Sequence, residues 1–135
     1  IIVDTCPSLG SLTVNALTAA DEVIIAVNPQ LLAMMGLQDF IRTVKKVRSR
    51  LNERLSIAGI LLTMCDVRTN LCKAITEQLV ETFEGQIRIF KSTIPNTVKV
   101  GESIYYSEPL LEYAPESKVC RAYQNLAGEV DGYES

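Results

Sequence analysis

Residues 1–27 read IIVDTCPSLGSLTVNALTAADEVIIAV. Two continuous apolar runs, Ile1–Val3 and Val23–Val27, bracket Ser11–Ala20, a helical stretch that follows Gly10. An apolar run without polar alternation predicts a strand covered on both faces, as in a parallel sheet. Parallel neighbours need a long crossover, usually a helix. The opening therefore predicts a strand, a helix and a second strand, the last stopped by Asn28-Pro29.

The same alternation continues outward. A helical pattern runs from about Leu31 to Asn52. At about 100° per residue, Leu37, Phe40, Ile41, Val44, Val47 and Leu51 share one face. Arg42, Lys45, Lys46, Arg50 and Arg54 fall on the other, and Arg48 lands inside the apolar arc. Six of the 13 basic residues lie within residues 42–54. Two readings stand: the solvated back of a sheet-covering helix, or a phosphate-binding face. Ile57–Cys65 (IAGILLTMC) is a third apolar run, followed by the polar loop Asp66–Asn70. A helix to about Glu84 carries the stripe Leu71, Ile75, Leu79 and Phe83, with Gly85 as its stop. Ile87–Ile94 reads as a fourth strand ended by Pro95, Val98–Ser103 as a short irregular or helical piece, and Ser117–Val130 as a closing helix. The expected class is α/β, a mostly parallel sheet with helices on both faces, as one unit over residues 1–135.

Composition fits that class. The 135 residues are 47% hydrophobic and 21% charged, a globular balance rather than a disordered one. No apolar run approaches the roughly 18 residues of a membrane span. No basic segment leads into an apolar one in the manner of a signal peptide. Histidine is absent, which excludes His-based triads, His general bases and nearly all ordinary zinc sites. Cys6, Cys65, Cys72 and Cys120 form no C-x-x-C pair and read as reduced, mostly buried cytosolic thiols. A disulfide framework is the less favoured reading, since a chain this long can build a core without one. The net charge of −3 argues against an overall basic field for nucleic acid and leaves a local patch open.

Ligands of parallel α/β sheets sit beyond the carboxyl ends of the strands. That rule selects Asp4–Gly10, Asn28-Pro29, Thr63–Asn70 and Ile94–Glu102. An aspartate closing an apolar strand, as Asp4 does, is the Walker-B arrangement, with its carboxylate beside a hydrated Mg²⁺. The plainer reading of Asp4 is a turn or helix cap.

Four blocks in collinear order carry more information than any one of them. They are residues 1–27, LLTMCDVRTNL (Leu61–Leu71), IPNTVKVGES (Ile94–Ser103) and PESKVCRAYQNLAGEV (Pro115–Val130). Together they strongly resemble the ParA/Soj family of chromosome- and plasmid-partitioning ATPases, related to MinD. The resemblance implies ATP and Mg²⁺ as cofactors, with Asp4 as the Walker-B residue acting on the metal through water. It implies that Met64 and Asp66, together with Pro95 and Asn96, belong to loops enclosing the adenine. It places nonspecific DNA contacts at Arg68 and Lys99, and Lys118 in a block that is often basic. It further implies an ATP-dependent homodimer, a ParB/Spo0J-like partner protein, and a cytoplasmic, nucleoid-associated protein with no membrane.

The sequence departs from the family in several places. Cys6-Pro7 stands where two prolines are usual, and Pro95-Asn96-Thr97 where Pro-Arg-Asn is usual. Gly101-Glu102-Ser103 replaces Ser-Glu-Ala. No G-x-x-x-x-G-K-[ST] occurs, and there is no Gly-Lys dipeptide; that loop cradles the phosphates of P-loop NTPases. The chain therefore looks like the C-terminal half of a ParA-like ATPase, and its apolar opening without Met points the same way. Alone it is expected neither to bind Mg-ATP nor to hydrolyse it, and an open strand edge is expected to favour self-association. The alternative is a P-loop-less, non-enzymatic module that binds DNA or protein. A phospho-acceptor receiver domain, built on Asp4 and Lys91, ranks below both because the paired acidic residues are missing. An iron–sulfur relative lacks the paired cysteines.

Overall fold

The computed structural model describes residues 1–6, 10–66 and 68–132. Three strands, β1 (Glu22–Val27), β2 (Ser56–Cys65) and β3 (Ile89–Pro95), form one parallel sheet in the order β1-β2-β3. The helices are α1 (Ser11–Ala19), α2 (Leu31–Arg50), α3 (Asn70–Phe83), α4 (Val98–Tyr105), α5 (Leu110–Tyr113) and α6 (Lys118–Val130). The α/β class, the parallel pairing and the helices on both faces are as the sequence predicts.

The longer helices bury most of the stripe that their period dictates, although Leu51, expected on the apolar face of α2, lies just past its end and is exposed. On one face of the sheet, Ile25, Val27, Ile60 and Leu62 pack against Leu37 and Ile41 of α2 and Ile75, Leu79 and Phe83 of α3. Below them, Leu17 of α1 closes on Val44 and Val47 of α2 and on Leu55. On the opposite face, Leu61, Phe90 and Ile94 meet Val119 of α6, with Val100 of α4 and Leu110 of α5 alongside. The β1–β2 register slips between Val23 and Ile24. A Cβ on Gly59, next to that slip, would lie 2.8 Å from Phe90 Cε2 and 2.9 Å from the Arg88 carbonyl oxygen. The close approach of β3 to β2 there requires glycine.

Helix ends follow their chemistry. Thr69, Thr97 and Ser117 cap α3, α4 and α6, their hydroxyls accepting the Cys72, Lys99 and Cys120 amides. Gly85 follows α3 at φ 72°, a left-handed conformation suited to glycine.

Several expectations are corrected. Ile1–Val3 is not a buried strand: it pairs with none among the described residues, and Ile1 and Ile2 are fully exposed. Apolar content favours burial, but a strand also needs a partner for its backbone groups. For the same reason β1 is an edge strand, and Ile24 on its second face is exposed. Leu71 leaves the α3 stripe and is exposed, while Cys72 takes the buried place. The end of β2 and the first turn of α3 bring Cys65 and Cys72 into a disulfide, and Cys6 is exposed. Of the four cysteines, Cys120 is the buried free thiol that the sequence predicts. The residues after β3 are more ordered than expected: α4 is regular to Tyr105, and α5 was not anticipated.

Candidate functional site

Parallel strands end together, so their carboxyl ends share one edge of the sheet. Cys65 pairs with Pro95, and the Asn96 amide donates to the Cys65 carbonyl at 3.4 Å. The structure thus brings Met64, Asp66, Pro95 and Asn96 together from two strands far apart in sequence. Asn28, at the end of β1, joins them through a 3.9 Å contact from Nδ2 to the Met64 sulfur. Met64 has φ 53° and is exposed. A non-glycine residue held in the left-handed region is costly and concentrates at functional sites.

Beyond this edge the Asp66–Thr69 turn ties itself down. Arg68 Nε donates to Asp66 Oδ1 at 2.9 Å and Nη2 to Oδ2 at 3.0 Å, a two-pronged pair. The Arg68 amide also donates to Oδ1, at 3.2 Å. The Arg68 hydrogen bonds hold the Asp66 carboxyl below its usual value, and the pair raises the guanidinium in turn. Both groups face solvent. Val67, between them, lies outside the described residues, as do Pro7, Ser8 and Leu9 of the Asp4–Gly10 loop.

Lys99 sits in the first turn of α4. Its Nζ donates to Glu102 Oε2 at 2.8 Å, and the Tyr113 hydroxyl donates to the same oxygen at 3.0 Å. The ammonium lies 5.7 Å from the Tyr113 ring centroid. Hydrogen bonding to Glu102 raises the Lys99 ammonium, and hydrogen bonds from Lys99 and then Tyr113 lower the Glu102 carboxyl. Burial, then the bond to Glu102, raises the Tyr113 hydroxyl. Sequence reasoning found Lys99 but not Glu102 or Tyr113 as its partners. The three-residue spacing to Glu102 was the available signal; nothing local points to Tyr113. Lys118 is exposed at the start of α6. The far end of that helix touches Lys91 and Ser92 through Glu129, so Lys118 belongs to the carboxyl end of the sheet.

Asp4 stands apart from this cluster. With Val3, Thr5 and Cys6 it lines a groove of about 590 Å³ against β1 and α2. Asn28 lines the same groove and is the link between the two regions. Among the described residues no group of three His, Cys, Asp or Glu side chains could hold a metal by itself. Magnesium, however, commonly takes one or two carboxylates and completes its shell with water and phosphate. A single exposed carboxylate such as Asp4 fits that mode. No helix among the described residues is long and apolar enough to cross a membrane.

Known proteins share the sequence and the fold of this chain over part of their length. A family model described as an AAA domain matches residues 1–57. The sporulation initiation inhibitor protein Soj of Bacillus subtilis is 42% identical over 130 residues, which cover 96% of the chain and 51% of that protein. The chromosome-partitioning ATPase Soj of Treponema pallidum is 41% identical over the same shares. The chain spans about half the length of these curated relatives. Among solved structures, cobyrinic acid a,c-diamide synthase of Mycobacterium smegmatis superposes at TM-score 0.72 with 28% identity, over 96% of this chain and 45% of that one. The same enzyme has been solved with a bound ATP analog and magnesium, and aligns at TM-score 0.69. The cell division ATPase MinD of Pyrococcus furiosus shares the fold at TM-score 0.71 and 22% identity, covering 96% of this chain and 50% of that one.

Proposed function

We propose that the chain belongs to the ParA/Soj family of partitioning ATPases, over the half of those proteins that it spans, and that it serves in segregating a chromosome or plasmid. The observation that carries this reading is the shared carboxyl edge, where Met64, Asp66, Pro95 and Asn96 converge with Arg68 and Lys99 on adjoining turns. In this proposal Met64, Asp66, Pro95 and Asn96 border the adenine, and Asp4 holds Mg²⁺ through water. Bound there, the ion would neutralise charge on the nucleotide phosphates. Arg68, Lys99 and Lys118 contact DNA phosphates without reading sequence. In a complete protein of this family that also carries the phosphate-cradling loop, ATP would drive formation of a homodimer, a ParB-like protein would be the partner, and the protein would work in the cytoplasm on the nucleoid.

The test is genetic. Disrupting the gene that encodes this chain in its source cells should raise the frequency of chromosome-free or plasmid-free daughters. An unchanged frequency for every replicon in the cell would overturn the reading.

A further inference from the structure

We infer that the solvent face of α2 is a second DNA-binding surface, one that grips the phosphate backbone of duplex DNA at a distance from Arg68 and Lys99. The inference rests on the DNA-binding reading above and extends it to a new set of residues.

The charge is concentrated there. Residues 42–54 carry six basic side chains (Arg42, Lys45, Lys46, Arg48, Arg50 and Arg54) and one acidic, Glu53, while the rest of the chain has seven basic against 15 acidic. All six basic residues are exposed. This includes Arg48, which the helical period alone places in the apolar arc. Arg42 pairs with Asp39 at 2.9 Å. Among the described residues the other five make no ion pair. The acidic Asp21 and Glu22 bound the patch at the same amino edge of the sheet, where the Ser56 amide meets the Asp21 carbonyl and Glu22 pairs with Ser56, two residues after Arg54.

Two ordinary explanations cover only part of this. Arg48 and Arg50 in the last turn complement the helix dipole, but Arg42, Lys45 and Lys46 lie too far back for that. Arg42, Lys46 and Arg50 follow one another at four-residue spacing, where like charges repel across successive turns. A helix keeps such a stripe at a cost to itself unless an anion sits on it. From Arg42 to Arg50 the helix rises about 12 Å, at about 1.5 Å per residue. That is the axial span of roughly three to four phosphates on one DNA strand.

The position separates this surface from the first one. The helix leaves the carboxyl edge after β1 and descends about 30 Å to the amino edge, so its basic half lies far below Arg68 and Lys99. The side chains are long and mobile, suited to point-charge contact with phosphate and not to reading bases.

The experiment is fluorescence anisotropy of the purified chain with a random-sequence duplex across a salt series. Replacing Lys45, Lys46 and Arg50 together by Gln should flatten the plot of log affinity against log salt by about 2.7 units, near 0.9 per lost phosphate contact. Lys46→Gln alone should flatten it by about 0.9, which guards against a triple variant that misfolds. A combined Arg68→Gln and Lys99→Gln variant should flatten it separately. If the α2 variants leave the slope unchanged while the Arg68 and Lys99 variant flattens it, this inference falls and the functional reading stands. If the chain does not bind duplex at all, both fall. If the α2 variants lose binding to phosphatidylserine vesicles but keep the DNA slope, the face serves anionic lipid and the assignment to DNA is overturned.

Discussion

The Glu129 carboxylate of α6 is clamped onto Ser92 of β3: Oε1 accepts the Ser92 amide at 2.6 Å and the Ser92 hydroxyl at 2.7 Å. Oε2 accepts the Lys91 amide at 3.0 Å and lies 3.5 Å from the Arg88 guanidinium. Since β3 is an edge strand, a side chain here occupies amides that an edge otherwise leaves open to another chain. Glu129→Ala should therefore lower unfolding stability by about 1–3 kcal/mol, the range for charge-assisted hydrogen bonds and the donors they leave behind. Urea unfolding measures this, and an unchanged midpoint would show that α6 docks through Val119 and Leu126 alone.

The same clamp has a pH signature. Burial pushes the Glu129 carboxyl up, but hydrogen bonds from the Ser92 hydroxyl and the Lys91 and Ser92 amides, with Arg88 nearby, hold it below its usual value of 4.5. A carboxyl depressed in the folded state contributes fully above its unfolded value and loses that contribution as pH falls through the folded one. The stability gap between the native chain and Glu129→Gln should be full near neutrality and shrink from about pH 4.5 downward. Paired urea titrations across that range report it; a constant gap would mean that the carboxylate charge is not what matters.

Gly59 predicts a packing effect in β2. Its absent Cβ is the space in which the Phe90 ring and the Arg88 carbonyl sit. The neighbour at 2.9 Å is backbone, so it has little room to move. Gly59→Ala should cost about 1–3 kcal/mol, the range for overpacking a filled interior, and should shift the Phe90 ring resonances. A neutral substitution would mean that β3 slides on β2 more freely than the pairing of Ile60 with Ile89 suggests.

What the sequence revealed and what it hid divide along physical lines. VIIAV and IAGILLTMC were legible as strands because their partners are supplied by the same alternation of elements. Ile1–Val3 has the same composition and no strand partner, and composition says nothing of pairing. The α2 and α3 faces were legible because helical periodicity is local. The Glu129–Ser92 clamp was not, because it joins residues 37 positions apart through a side chain that any surface helix could carry. At the candidate site, the carboxyl-edge rule selects the segments Thr63–Asn70 and Ile94–Glu102 without the structure, whereas Met64, Asp66, Pro95 and Asn96 are singled out within them only by the family resemblance, and the pairing of Arg68 with Asp66 is supplied by the structure. Tyr113 was out of reach, since α5 brings it back to Glu102 from 11 residues on.

The Asp66–Arg68 pair sets the terms on which Arg68 can serve DNA. The guanidinium spends two N–H groups on the Asp66 carboxylate, so a phosphate must compete with an anion already in place. The pair is exposed, with Arg68 at 87% side-chain accessibility, and exposed ion pairs are weak enough to exchange partners. Asp66→Asn removes the competitor and leaves the side-chain shape. If Arg68 contacts phosphate, this change should tighten duplex binding and steepen the salt dependence by up to about 0.9 units. Arg68→Ala should do the reverse, weakening binding alike on all sequences and flattening the slope by about one unit. Anisotropy titrations on two unrelated duplexes measure both. If neither substitution moves the slope, Arg68 is a turn residue that answers only to Asp66, and the phosphate contacts lie elsewhere on the chain.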